Sequence, residues 1–218
     1  MALNLAKPIT YLITSGTTTQ ATTSASEDFS RLLKLVSGAV DAGITLIQLR
    51  EKNLKANVLY ELALRAARVT RGSSTHLLVN DRADIASAAG ADGVHLTGGS
   101  LEASIVRPAF GQDFVIGVST HSLAEAQAAR KGDADFAVFG PVFETASKKI
   151  YGEPLGLGKL SEVALALSPF PIIALGGVTI NNARSCLGAG AAGIAGIRLF
   201  ELDADLRLIA RLLQDDSS

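Results

Sequence analysis

A single-domain α/β fold, a (β/α)8 TIM barrel, is the architecture that the 218-residue sequence predicts. Three observations predict it. Apolar runs of strand length recur eight times, stretches with helical spacing separate them, and no composition break or linker divides residues 1–218. Strand and helix alternating throughout implies parallel strands joined by helical crossovers. Eight such units in this length match the lower end of barrel sizes, ~200 residues. An open doubly wound sheet is the alternative architecture.

The predicted strands are Ile9–Ile13, Thr45–Leu49, His76–Val79, Gly93–His95, Phe114–Val118, Phe136–Phe139, Ile172–Leu175 and Gly193–Ile197. Phe29, Leu32, Val36 and Val40 form one helical face after the first strand, and Leu59, Leu62, Ala63 and Ala66 form another after the second. Gly43, Gly90, Gly132 and Gly188 stand where helices should stop, and Ser122-Leu123-Ala124-Glu125 reads as a capping box. Two stretches break the alternation. Residues 15–27, SGTTTQATTSASE, are small and polar, and residues 140–156 form a loop after strand six; both are expected to be mobile and to border the active site.

Composition narrows the function. A formal net charge of −1 and a pI of about 6.3 give no global attraction to nucleic acid or anionic membranes, although a local patch could hold a phosphorylated ligand. The single cysteine, Cys186, excludes an internal disulfide and a multi-cysteine zinc site, and reads as a small hydrophobe in a helix. The opening MALNLAKPIT lacks a basic region followed by an apolar stretch, and no apolar run approaches the ~18 residues of a membrane helix, so a cytoplasmic, soluble protein is expected.

Polar groups gather where the apolar runs stop. In a barrel those ends converge on one face, where active sites form. Strand two hands over Gln48-Leu49-Arg50-Glu51-Lys52, strand three Asn80-Asp81-Arg82, strand four His95 and strand five Ser119-Thr120-His121. Strand six leads to Thr145, Ser147 and Lys148, strand seven to Gly176-Gly177 and strand eight to Ile197-Arg198. Arg50, Lys52 and Lys148 are cations suited to phosphate, while alternation sends Glu51 away from its neighbours. Gly176-Gly177 offers backbone N–H groups before a helix expected near Asn181. Asp81 fits two roles equally, a cap for the helix starting near Ala83 or a hard ligand for Mg²⁺. Gly188-Ala189-Gly190-Ala191-Ala192-Gly193 satisfies G-x-G-x-x-G, yet it follows a helix and precedes a strand, which excludes a dinucleotide site. His76, His95 and His121 lack zinc-ligand spacing.

In order along the chain, YLIT, IQLREK, LLVNDRADIA, GADGVHL, IGVSTHSLAEA, GPVFETASK, IIALGGV and GAAGIAGI resemble the thiamine phosphate synthase and thiazole tautomerase superfamily. That resemblance implies the same barrel. It also implies joining of hydroxymethylpyrimidine diphosphate to a thiazole phosphate, by ionisation of the diphosphate and attack of the thiazole nitrogen, with Mg²⁺. By resemblance, Gln48, Leu49, Arg50, Glu51, Lys52, Asn80, His95, Ser119 and Lys148 would hold the pyrimidine diphosphate. Thr145, Ala146 and Ser147 would line the thiazole site, and Gly177, Ile197 and Arg198 would take its phosphate. Asp81 would ligate Mg²⁺, with Ser100 standing where the family usually carries a second acid. The resemblance assigns Arg50, Lys52 and Lys148 to stabilising the leaving charge. The partners implied are small phosphorylated molecules, and a homo-oligomer is compatible. Two other functions are kept: a tautomerase using His121 as acid-base, and a non-catalytic regulator that binds phosphorylated ligands.

Overall fold

The computed structural model describes residues 8–145, 153–201 and 204–214. Eight parallel strands close into a barrel in sequential order: β1 (Ile9–Ile13), β2 (Leu46–Leu49), β3 (His76–Asn80), β4 (Gly93–Leu96), β5 (Val115–Thr120), β6 (Phe136–Phe139), β7 (Ile172–Ala174) and β8 (Gly193–Gly196). β8 returns to β1 with Ile9 beside Gly193 and Tyr11 beside Ala195. Outside lie α1 (Glu27–Asp41), α2 (Ala56–Thr70), α3 (Ala83–Ala89), α4 (Ala103–Phe110), α5 (Leu123–Lys131), α6 (Gly156–Leu167), α7 (Ala183–Gly188) and α8 (Leu206–Gln214), with a 3-10 turn at Arg198–Phe200. The predicted (β/α)8 barrel is thus the observed one, and the open sheet is excluded. No described helix is long and apolar enough to cross a membrane.

Strand alternation sorts the core into two. Ile9, Tyr11, Ile13, Leu46, Leu78 and Phe136 fill the axis, while Leu12, Ile47, Leu49, Val79 and Val94 meet the helices. Phe29, Leu32 and Val36 of α1 and Leu59, Leu62 and Ala63 of α2 supply the apolar helix faces. Leu49 therefore packs outward, fully buried in the strand–helix layer, and its side chain does not line the mouth. Ser122 caps α5 by accepting from the Glu125 N–H at 3.2 Å, while the Glu125 carboxylate accepts from the His121 N–H at 2.7 Å. Cys186 is buried in α7, and burial pushes its thiol up to about 11, as an inert hydrophobe should show.

At the barrel end away from the strand C-termini, the buried Arg107 guanidinium ties α4 to the loops that lead into β5 and β6. It donates to the carbonyls of Gly111 (2.9 Å), Phe114 (2.6 Å) and Asp133 (2.9 and 3.0 Å) and to the Asp135 carboxylate (2.8 Å). That carboxylate also accepts the Ile116 N–H at 2.7 Å, so the pair fixes where β5 begins.

At the opposite end, Glu51 organises the loop after β1. Its carboxylate accepts from the Thr14 and Thr18 hydroxyls, both at 2.6 Å, and from the N–H groups of Gly16 (3.2 Å) and Thr18 (3.3 Å). The Thr14 hydroxyl in turn accepts from the Arg50 N–H at 2.8 Å, and Asn53 Nδ2 donates to the Thr18 carbonyl at 3.3 Å. Further along, the Thr22 hydroxyl bonds the Asp28 carboxylate. The polar 15–27 segment is thus tied into the barrel through its hydroxyls. Glu51 itself is only 2% exposed and both oxygens are taken, which corrects its expected place among ligand contacts. Glu51→Gln should cost about 2 kcal/mol, because an amide offers one acceptor and two donors to a site full of donors. In a barrel of this size that is a fall of about 4–8 °C in melting temperature, and an unchanged value would remove Glu51 from this role.

Candidate active site

Two hydrogen-bonded groups stand on β1 to β5 toward their C-terminal ends, and a third, charged group is spread over the ends of β2 and β5 to β8. The first crosses the axis. Gln48 Nε2 donates to the Tyr11 phenol oxygen at 2.8 Å, that oxygen lies 3.1 Å from His95 Nδ1, and His95 Nε2 lies 2.8 Å from Ser119 Oγ. Gln48 and His95 are buried, and Ser119 is half-buried. The sequence places Gln48, His95 and Ser119 here correctly as neighbours. It did not single out Tyr11, although a phenol on the inward face of an aliphatic strand is the signal that would have found it.

The second group gathers oxygens. Asp81 does not cap α3, whose N-terminus receives no side-chain cap. Its backbone is left-handed, with φ 59°, and its carboxylate accepts from Asn80 Nδ2 (2.7 Å), the Thr97 hydroxyl (3.1 Å) and the Ser100 hydroxyl. Ser100 also accepts from the Thr97 N–H at 2.7 Å. Two residues nineteen apart in sequence, Asp81 and Ser100, are thereby brought into contact. Asn80 Oδ1 is buried with no partner among the described residues. One carboxylate, two hydroxyls and an unpartnered amide oxygen are the hard donors that Mg²⁺ prefers. Among the described residues no group of three or more His, Cys, Asp or Glu side chains is gathered for a metal. A cation on Asp81 would therefore need oxygens from a ligand or water.

The third group carries charge. Arg50 is half-buried beside the Glu51-ordered loop, and Lys52 is exposed. Ala146, Ser147 and Lys148 lie outside the described residues. Thr145 is half-buried at the end of the segment following β6. That segment folds onto the turn after β7, with the Val142 N–H donating to the Leu175 carbonyl (2.8 Å) and the Phe143 N–H to the Gly176 carbonyl (2.9 Å). Only glycine fits beneath it: a Cβ on Gly177, at φ 64°, would stand 2.7 Å from Phe143 Cβ. Asn182 closes the same turn, donating to the Gly177 carbonyl at 3.0 Å, and α7 starts at Ala183, near Asn181 as expected. Ile197 packs on the axial core, and Arg198 is exposed at the start of the 3-10 turn. His121 Nδ1 faces the Gly140 carbonyl oxygen at 2.5 Å and so carries a hydrogen there.

His95 is neutral at neutral pH. Burial pushes its pKa down to about 4, with nearby Asp81 pulling it up and Arg50 pulling it down. The unfolded imidazole titrates near 6.5, so below that pH the unfolded chain binds the extra proton. Stability from this group is complete above ~6.5 and is lost as pH falls toward 4. Between pH 7 and 4.5, urea unfolding should show about 2–3 kcal/mol less destabilisation in His95→Gln than in the parent chain, and equal losses would refute the assignment.

Residues 18–200 match the sequence profile of a family described as thiamine monophosphate synthase. A putative thiamine-phosphate synthase of Geobacter sulfurreducens is 46% identical over 182 residues, covering 84% of this chain and 85% of that protein. A thiamine-phosphate synthase of Clostridium novyi is 38% identical over 182 residues, covering 84% and 89%. The solved thiamine phosphate pyrophosphorylase from Pyrococcus furiosus superposes with a TM-score of 0.76 at 29% identity, over 95% of this chain and 94% of that one. The matched span runs from the loop after β1 to the turn after β8, so it takes in the ends of β2 to β8. With the barrel, the strand-end groups and relatives of this similarity in agreement, the chain belongs to the thiamine monophosphate synthase family.

Proposed function

We infer that the chain is a thiamine phosphate synthase. It joins 4-amino-2-methyl-5-hydroxymethylpyrimidine diphosphate to 4-methyl-5-(2-hydroxyethyl)thiazole phosphate, giving thiamine phosphate and diphosphate. The observation that carries this reading is the meeting, at one barrel mouth, of a neutral hydrogen-bonding wall (Gln48, His95, Ser119), a half-buried Arg50 and the Asp81–Ser100 oxygen pair. A diphosphate leaving a heteroaromatic methylene needs all three.

The bond between the pyrimidine methylene and the diphosphate oxygen breaks, with the electron pair leaving on diphosphate. The thiazole ring nitrogen then forms the new C–N bond to that methylene. Charge grows on the departing oxygens, and Arg50, Lys52 and Lys148 are the cations assigned to meet it. Ser119 and Asn80 orient the pyrimidine diphosphate, with Gln48 and His95 buried behind Ser119. Thr145, Ala146 and Ser147 are assigned to the thiazole, and the backbone at Gly177 and Ile197, with Arg198, to its phosphate. Asp81, Ser100 and Thr97 would hold Mg²⁺, whose contribution when bound is to neutralise diphosphate charge. The substrates are small and phosphorylated, and the reaction is assigned to the cytoplasm. A tautomerase using His121, or a non-catalytic binder, has less support, because the relatives described above carry the synthase name.

Purified protein given both substrates should release diphosphate only when both and Mg²⁺ are present. Aromatisation of the thiazole alone, lost in His121→Ala and without diphosphate release, would sink the synthase reading. Ser100→Asp should lower the Mg²⁺ concentration for half-maximal rate by about tenfold, ~1.4 kcal/mol of added attraction. It should also make the melting temperature rise more with Mg²⁺ than in the parent, since two adjacent carboxylates repel until a cation joins them. If neither quantity moves, Ser100 does not face the metal.

A further inference from the structure

The chain of hydrogen bonds across the barrel axis has a direction. An amide NH2 can only donate, so the contact from Gln48 Nε2 makes the Tyr11 oxygen an acceptor there. Tyr11 has one hydrogen left, and the other neighbour of its oxygen is His95 Nδ1, 3.1 Å away. Nδ1 thus accepts and carries no hydrogen. A neutral imidazole must then bear its hydrogen on Nε2, which faces Ser119 Oγ at 2.8 Å. Ser119 oxygen accepts that hydrogen, and its own hydroxyl hydrogen is left over.

The chain also has a single outlet. Gln48, Tyr11 and His95 are 1%, 0% and 2% exposed, whereas Ser119 is half-buried at the mouth. The rings that relay the polarity are held in place. Tyr11 and His95 meet edge-on with centroids 5.7 Å apart, and Tyr11 meets Phe136 at 5.6 Å and 87°. Gly117 makes the room for them, because a Cβ there would lie 2.7 Å from Phe136 Cε2 and 2.9 Å from His95 Nδ1. A barrel that needed only packing could fill this layer with aliphatic side chains; burying a phenol and an imidazole in series is costly unless each is satisfied.

We propose that Tyr11 and His95 are positioning residues that make Ser119 a one-way hydrogen-bond donor, aimed at an acceptor atom of the pyrimidine diphosphate. This rests on the synthase reading for the ligand, and on the geometry alone for the polarity. Ser119 then discriminates in favour of a ligand with a ring nitrogen or phosphate oxygen at that point, and against one presenting a donor. Tyr11 touches no ligand and acts entirely through His95.

Two measurements on the full chain test it. Long-range ¹⁵N–¹H NMR of the ligand-free protein near pH 7, with the His95 signal assigned by its absence in His95→Gln, should show the neutral Nε2–H form. In Tyr11→Phe, which keeps the ring and loses the hydroxyl, the signal should shift toward Nδ1–H or a mixture. An Nδ1–H imidazole in the parent would overturn the proposal, since the chain would then run the other way. In steady-state assays Tyr11→Phe should lower kcat/KM for the pyrimidine diphosphate by about tenfold and leave the KM for thiazole phosphate unchanged. On a Ser119→Ala background the same change should cost less than about twofold, because its effect passes through that hydroxyl. An undiminished effect on that background, or none in either, would also overturn it. A parent chain that turns over neither substrate would count against the synthase reading, and the tautomer would still decide the polarity.

Discussion

In a closed parallel barrel every strand has two faces and no edge, so a residue's parity decides whether it meets the axis or the helices. The run QLREK obeys this constraint residue by residue. Gln48 enters the axial chain, Leu49 leaves for the helix layer, Arg50 reaches the mouth, and Glu51 turns back to bind the loop after β1. Adjacent residues have different neighbourhoods because the backbone rotates about 180° per residue between them. Moving this strand by one residue would put Leu49 in the axis and Gln48 among the apolar helix faces, where its amide would have no partner.

The axis itself changes character along its length. Toward the N-terminal ends it is filled by Ile9, Leu46, Leu78, Val115 and Phe136, and toward the mouth by Gln48, Asn80, His95 and Ser119. Tyr11 spans the two, its ring in the apolar layer and its oxygen in the polar one. Polar groups in such a layer sit in a low dielectric, where each unmade hydrogen bond costs about 1–3 kcal/mol and each made one is rigid. The same rule explains Glu51, a buried carboxylate whose four donors are hydroxyls and N–H groups rather than a cation. Rigidity gained this way is what a site stabilising a developing anion requires, because donors already in place need no reorganisation.

The barrel was legible because period-two runs and helical faces repeat across the chain, and all eight predicted strands overlap observed ones. The points where the apolar runs stop also placed Gln48, Asn80, His95 and Ser119 toward the mouth end of the barrel. What parity along one strand does not reveal is who stands across the axis. Tyr11 and His95 are 84 residues apart, and only closure brings them to 3.1 Å. Glu51 was misassigned for a related reason: alternation correctly turns it from Arg50, but its donors come from the β1–α1 loop, whose path no local pattern fixes. The threonines of that segment read as a mobile polar tract because their acceptors, Glu51 and Asp28, are not their sequence neighbours.

Asp81 brings these constraints to bear on charge. A non-glycine residue at φ 59° costs on the order of 1 kcal/mol and persists when surrounding contacts over-determine it. Here those contacts are Asn80, Thr97 and Ser100, and they turn the carboxylate away from capping α3. A lone carboxylate among hydroxyls attracts a hard cation more weakly than a pair of acids would, since serine adds an oxygen without charge. Phosphate oxygens from the ligand are the natural remainder of such a shell. Cation and diphosphate would then each raise the other's affinity by the same factor, as linkage demands. A hydroxyl at Ser100, where the resemblance expects an acid, would thus weaken a cation site most in the absence of substrate, and would make assembly of the charged site depend more strongly on the diphosphate being present.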